Sequence, residues 1–363
     1  MPVAQILIAP DSFKGSATSA QVAEALAEGW KISRPHDEIV IAPFADGGEG
    51  TLDCLESVTP ESVRIPITVQ GATGIEHQSS WLLVGADIAV IEMATLCGIT
   101  TVDKLDPLGA HSYGLGQAIK AALEDNRVDE ILIAVGGSAS TDAGMGALSA
   151  LGFRGLGEDS KELARGGGDL HRLARIESSG SIRKPDRGIK ILVDVQSPLT
   201  GVNGAAHVFG PQKGADTAQV QQLDEGLTHF LKVLNVEDRA GFGAAGGVPC
   251  GLSVLLGATI VSGVATIAEL IGLQEKIKLS DCVITGEGSF DDQSYRGKAV
   301  GYLLEMAKVS ERPVMIACGV NKNEESPSIL SLIELAPTGQ SAIADSQRWL
   351  IECGRVLASR FNH

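Results

Sequence analysis

Aromatic side chains are scarce, 4% of 363 residues, so the chain has little material for the stacking platforms that hold single-stranded nucleic acid. Basic residues are in the minority: 29 Lys and Arg against 45 Asp and Glu give a formal net charge of -16, the wrong sign for a phosphate backbone. Nucleic acid is therefore excluded as a partner, and a phosphorylated ligand must be met by local cations and backbone N–H groups. The six cysteines, at 54, 97, 250, 282, 318 and 353, form no C-x-x-C pair, and their apolar surroundings suit reduced, buried thiols. The seven histidines include no H-E-x-x-H pattern, which argues against a transition-metal site. No apolar run approaches the ~18 residues of a membrane span and no basic-then-apolar leader opens the chain. The expectation is a soluble, cytoplasmic protein with no membrane partner. Two nucleotide signatures are also missing: no Gly-Lys-Ser/Thr closes a Walker loop, and no G-x-G-x-x-G follows the first apolar run.

Glycine, by contrast, is abundant at 44 residues, with 44% hydrophobic and 20% charged residues. Such a chain can bury a large core and is long enough for two domains of α/β packing joined by tight turns. Its organising stretch is the first. Val3, Ile6, Leu7 and Ile8 form a near-continuous apolar run, as in a strand covered on both faces. Pro10, Asp11, Ser12, Phe13 and Lys14 follow, and Thr18-Ser19-Ala20-Gln21 has the spacing of a capping box before a helix with apolar Val22 and Leu26. A carboxylate, a hydroxyl and an ammonium group are thus held at the carboxyl end of a buried strand, beside a helix N-terminus suited to anions.

The arrangement returns twice. Ile39 to Phe44 reads as a strand, and Ala45-Asp46-Gly47-Gly48-Glu49-Gly50-Thr51 leads into a helix containing Leu52 and Leu55. Near the C-terminus, Cys282 to Thr285 reads as a strand before Gly286-Glu287-Gly288-Ser289-Phe290-Asp291-Asp292, with Arg296 and Lys298 opening the next helix. In an open α/β sheet the three turns share one edge and converge on one crevice. Between them the pattern changes. Val63 to Gln70 alternates at strand period, Gly71 to Gly74 is a turn, and Ser79 to Val84 and Ile88 to Met93 read as further strands with connections too short for parallel crossovers. A domain of 1–62 and 280–363 is expected, interrupted by a mixed α/β insert over 63–279.

Within the insert, Ser112 to Leu123 reads as a helix and Ile131 to Val135 as a buried strand. The turn Gly136-Gly137-Ser138-Ala139-Ser140-Thr141-Asp142-Ala143-Gly144 then leads into a helix from Met145. That turn is either a phosphate cradle or a tight connection whose glycines serve packing. Residues 154–188, with Gly166-Gly167-Gly168, read as a solvated surface excursion. Asp194 follows the strand Ile189 to Val193 and either binds substrate or metal or caps the next turn. Phe209-Gly210-Pro211-Gln212-Lys213-Gly214-Ala215 offers a cation on a Gly/Pro-framed loop. Gly246-Gly247 either admits a nucleotide or lets a helix pack closely. Strands at Cys282–Thr285, Val314–Ala317 and Leu332–Leu335 complete a five-stranded sheet, covered by helices around Leu303 to Met306 and from Ala344 to Phe361.

The segments Ala9 to Gly15, Ala45 to Thr51, Gly136 to Ala139, Phe209 to Ala215 and Ile284 to Gly288, in this order, resemble the signature segments of the bacterial type-1 glycerate kinase family, across nearly the whole chain. The resemblance implies ATP-dependent phosphorylation of D-glycerate, with 2-phosphoglycerate the favoured product. It also implies Mg²⁺, a permuted flavodoxin-like parallel-sheet domain formed by both chain ends, an inserted mixed α/β domain, and an active site in the cleft between them. The chain departs from the family at Thr141-Asp142-Ala143-Gly144, where Asn-Asp-Gly-Gly is usual, at Ser197 for Asn, and at Ser289 for a common Arg.

On this reading Asp46, with Lys14 and Asp291, is catalytic, Asp46 being preferred as general base. Asp11, Ser12, Lys14, Arg296 and Lys298 bind substrate, and Gly47, Gly48, Gly136, Gly137, Ser138, Lys213 and Gly286 bind the nucleotide. Asp46, Glu287 and Asp194 are the metal ligands. The partners are D-glycerate and ATP, in a monomer or homodimer. Two alternatives stand beside it. A non-catalytic hydroxy-acid binding or sensor module shares the two-domain plan, but an anionic ligand would be repelled by so many carboxylates unless metal or catalysis required them. A nicotinamide dehydrogenase lacks its glycine fingerprint.

Overall fold

At the start of the first helix, the Gln21 N–H donates to Thr18 Oγ1 at 3.2 Å and the Thr18 N–H to Gln21 Oε1 at 3.0 Å. This reciprocal cap satisfies two orphan donors and starts the helix Ser19–Ser33 where the sequence places it. That helix lies against Ser346–Arg360 at a glycine seam: a Cβ on Gly29 would stand 1.8 Å from the Ile351 carbonyl oxygen. In this computed structural model residues 3–292, 294–295 and 299–361 are described.

In chain order, β1 (Gln5–Ile8) and β2 (Glu38–Ile41) come first. They are followed by β3 (Val63–Gln70), β4 (Glu76–Val84), β5 (Ile88–Glu92), β6 (Glu130–Ala134), β7 (Phe153–Gly157), β8 (Leu173–Ser178), β9 (Ile189–Leu192) and β10 (Thr259–Val261). The last are β11 (Cys282–Phe290), β12 (Val314–Asn321) and β13 (Ile329–Ser331). Five of these form an all-parallel sheet in the order β13-β12-β11-β1-β2, with Ile6 opposite both Cys282 and Ile39. Counted along this unit, the order is 2-1-3-4-5, the flavodoxin-like arrangement. One core joins Ile6, Ile8, Trp30, Cys282, Ile284 and Leu350. Alternate residues of β12, Ile316 and Cys318, join Phe290 and Val300 in a second cluster with Leu304 of the helix Ala299–Val309.

A second sheet runs β10-β9-β6-β5-β4-β3. β3, β4 and β5 are antiparallel neighbours, and β5, β6, β9 and β10 are parallel. This is the mixed α/β sheet expected of the insert. Its core holds Val69, Ile91, Leu115, Ile119, Ile131 and Ile133.

The chain divides into one unit of 1–46, 53–60 and 264–363 and another of 47–52 and 61–263. The division therefore falls after residues 60 and 263, against the expected 62 and 279. The helices Gly263–Leu270 and Leu273–Leu279 account for the second difference, because the latter packs on β1 and on Ala299–Val309. Two local expectations also change. Residues 154–188 are not merely a surface excursion: Phe153–Gly157 and Leu173–Ser178 pair as an antiparallel ribbon, and Gly166 and Gly167 are buried where a Cβ would strike the Leu108 and Thr141 carbonyls. The fifth strand is Ile329–Ser331, and Leu332–Leu335 is a helical turn, because the Ser331 N–H and hydroxyl both donate to Glu334 in a capping box.

Candidate active site

The order of the parallel sheet reverses between β1 and β11, and in such sheets ligands bind beyond the carboxyl ends of the strands at that point. The two strand ends there carry Asp11 and Glu287. They are pinned together by Asp11 N–H donating to the Gly286 carbonyl at 2.8 Å and Thr285 Oγ1 donating to the Ala9 carbonyl at 2.9 Å. The turn after β2 is drawn to the same edge by Phe44 N–H donating to the Pro10 carbonyl at 2.9 Å. Burial is the main reason that Asp11 is pushed up to about 7, and the negative charges of Asp46 and Glu287 add to it. The Ser12 N–H, donating to Asp11 Oδ1 at 2.6 Å, and the Lys14 ammonium pull the other way. Four residues singled out in the sequence, Asp11, Lys14, Asp46 and Glu287, thus share one electrostatic site.

Asp291 forms an ion pair with Lys322 at 3.6 Å beyond the end of β12. Ser12 acts through its backbone on Asp11. Gly286 is required by packing, since its Cβ would stand 2.0 Å from the Ala317 carbonyl oxygen. Arg296 and Lys298 lie outside the described residues.

The second unit gathers a different group at the carboxyl ends of its parallel strands. Glu92, at the end of β5 and buried, accepts from the Gly50 N–H at 3.0 Å and the Leu52 N–H at 2.9 Å. An anion does sit at the N-terminus of the helix Thr51–Val58, and it is this side chain. Gly47 takes φ +84 with its α-carbon facing Leu192, and Gly48 lies under the turn after β6, where a Cβ on Gly136 would be 2.6 Å from the Gly48 Cα. Gly137 has φ +74 against Ala94. Ser138 Oγ accepts from the Ser140 N–H at 3.2 Å. Gly47, Gly136 and Gly137 thus sit where a side chain would meet its neighbours closely.

Asp142, in the same turn, is fully buried. Its Oδ2 accepts from the Ser112 N–H and hydroxyl, both at 2.8 Å, and from the Gly146 N–H at 3.0 Å, and its Oδ1 accepts from the Gly144 N–H at 3.1 Å. Lys213, the cation on the Gly/Pro-framed loop, is 3% exposed and donates to the Ser140 carbonyl. Burial lowers it to about 8, a drop that the neighbouring Asp142 partly opposes. Asp194 was read as a metal ligand. Its Oδ1 accepts from the Ser262 hydroxyl at 2.8 Å and the Gly263 N–H at 3.1 Å, so it caps the start of the next helix. Gly246 and Gly247, with φ +68 and +96, press on Ser140 and Ala143, so both have a packing role.

Glu92, Ser112 and the role of Asp142 were not legible locally, because their partners lie tens of residues away. The one available signal was Glu92 itself, a lone carboxylate ending an otherwise apolar strand. Among the described residues no group of three or more His, Cys, Asp or Glu is arranged to enclose a metal ion. Mg²⁺ does not need one, since it is held by one or two carboxylates with waters and phosphates. The hard oxygens of Asp46 and Glu287 fit that need, and a cation there would relieve their repulsion of Asp11. All six cysteines are buried thiols, and burial pushes Cys97, Cys250, Cys282 and Cys318 up to about 12. Among the described residues no helix is long and apolar enough to cross a membrane.

A flavodoxin-like sheet with carboxylates and a lysine at its switch point, interrupted by a mixed α/β insert, defines an α/β enzyme of the group-transfer kind. The comparisons narrow this to one family. The model of the glycerate kinase family matches residues 6–362, and the chain belongs to that family of kinases. Glycerate 2-kinase of Escherichia coli (strain K12) is 39% identical over 325 residues, covering 87% of this chain and 85% of the relative. Glycerate kinase of Bacillus subtilis (strain 168) is 37% identical over 372 residues, covering 98% and 97%. A crystal structure assigned to glycerate kinase 2 from Salmonella typhimurium LT2 superposes with a TM-score of 0.83 at 33% identity, covering 99% of this chain and 98% of that one.

Proposed function

We propose that the protein transfers the γ-phosphoryl group of ATP to a hydroxyl of D-glycerate, giving 2-phosphoglycerate and ADP. The observation that carries the reading is Asp11, a carboxylate held at about 7 at the sheet's switch point in a chain of the glycerate kinase family. A general base works best when its pKa lies near the operating pH. Asp11 is therefore the general base, in place of the Asp46 that the sequence favours. Asp11 takes the proton of the attacking hydroxyl, and Lys14 sets a positive charge against the substrate carboxylate and the transferred group. Asp46 and Glu287 are left as metal ligands. Mg²⁺ held by Asp46 and Glu287 would supply positive charge against that developing on the transferred phosphoryl group.

Released ADP, followed in a coupled assay with D-glycerate, ATP and Mg²⁺, tests the activity, and phosphorus NMR of the product identifies the hydroxyl. The expected result is glycerate-dependent ADP release with the 2-phosphate resonance. ADP release that ignores glycerate would sink the reading.

A further inference from the structure

Beside the switch point, the flavodoxin-like unit holds a cavity of about 1100 Å³ between the helix Ala299–Val309 and the segment 322–329. Leu304, Val314, Ile316 and Ile329 give its mixed lining an apolar patch. Tyr295, 53% exposed, stands on its wall, with its ring set edge-on to Phe290 at 5.3 Å between centroids. Asn323 lines it with a buried Nδ2 that finds no acceptor among the described residues. Carboxylates outnumber cations on the walls, Asp292, Glu305, Glu324 and Glu325 against Lys308 and Lys322.

Each of these features selects against a bare polyanion and for a neutral, flat ligand with hydrogen-bonding edges. An apolar patch and an aromatic face suit a purine ring. The orphan Asn323 amide is a donor for a ring nitrogen, and the carboxylates accept from an exocyclic amine and from ribose hydroxyls. The cavity also opens in the right place. The Lys322 N–H donates to the Phe290 carbonyl at 2.9 Å, so the cavity rim is tied to β11, the strand that carries Glu287.

We infer that this cavity takes the adenosine half of the phosphoryl donor. Its phosphates leave past Lys322 toward the carboxylates at the switch point, and the glycine turns of the insert are packing elements. The inference rests on the kinase reading and adds the donor's location. It accounts for glycines at 47, 48, 136 and 137 that are closely packed where a cradle was expected.

Hydrogen–deuterium exchange on the full wild-type chain with ADP as the probe tests it without any substitution. Peptides spanning 299–309 and 321–329 should slow on ADP addition, while those spanning 136–146 and 205–215 should not. The reverse pattern would overturn the inference. Tyr295→Ala and Asn323→Ala, checked for an unchanged melting temperature, should each raise the Kd for ADP and the KM for ATP at least tenfold while moving the KM for D-glycerate less than twofold. Unchanged nucleotide constants in a wild-type enzyme that does turn over would refute the location and leave the kinase reading standing. A wild-type chain that neither binds ADP nor phosphorylates glycerate would remove both.

Discussion

At the scale of single residues, two buried ionisable groups make opposite pH predictions. Asp11 holds its proton more tightly in the folded protein than in the unfolded chain, so stability falls as pH rises from about 4 to about 7, and the full cost is present above that window. Asp11→Asn removes this cost. In Mg²⁺-free buffer the variant should gain on wild type across that window, to about 2 kcal/mol by urea unfolding at pH 8, a figure discounted for partial solvent access. Turnover should nevertheless drop by roughly two to four decades if Asp11 is the base, and with Mg²⁺ on Asp46 and Glu287 the rise of kcat/KM with pH should lie below 7, because the cation removes part of what raises Asp11. A variant that is both inactive and less stable would make Asp11 structural. Lys213 has the reverse sign. Its folded pKa is lowered from 10.5 to about 8, so the cost of burying its ammonium is full below 8 and is relieved as pH rises toward 10.5. Relative to Lys213→Met, wild type should gain stability over that range, and a flat difference would mean the ammonium is better compensated than its surroundings suggest.

At the scale of elements, Glu92 and Gly136 hold the segment 47–52 in place. Glu92→Ala leaves the Gly50 and Leu52 N–H groups without their acceptor and should cost about 2–4 kcal/mol in denaturant unfolding. A loss below about 0.5 kcal/mol would mean that the helix start finds other partners. Gly136→Ala would drive a methyl to 2.6 Å from the Gly48 Cα, and a destabilisation of about 1–3 kcal/mol is expected. These elements also mark what could be read from the chain. The Thr18 to Gln21 cap, the turn at Gly71 to Gly74 and the strand ends carrying Asp11 and Glu287 are local patterns, legible because neighbouring residues supply both halves of each interaction. The Ser331–Glu334 box was equally local, yet the apolar Leu332-Ile333 inside it read as strand. The burial of Lys213 and the partners of Asp142 are not local: the Ser140 carbonyl and Ser112 that they meet lie tens of residues away in the chain. The glycines at 136, 137, 246 and 247 likewise fit a cradle and a packing seam equally well until the opposing backbone is known.

At the scale of the whole molecule, a net charge of -16 repels both proposed substrates, which are anions, so productive encounter depends on local cations such as Lys14. Raising ionic strength from about 0.01 M to about 0.15 M shortens the screening length from roughly 30 Å to roughly 8 Å. The KM for D-glycerate should therefore fall as salt is added, where a steered, basic site would show a rise. A rising KM would place a stronger positive field around the site than the composition provides.

The interruption of the parallel sheet also governs when the enzyme first exists during synthesis. β1 is made before the insert, but one of its two neighbours, β11, begins only at Cys282, after the insert. A nascent chain therefore carries a buried-type strand with one edge unpaired while the whole of the insert, with its own sheet, is completed. Asp11 meets Glu287 only once the chain has passed the insert, so a ribosome that stalls within residues 61–263 releases a chain in which β1 still lacks β11 and the two carboxylates have not met.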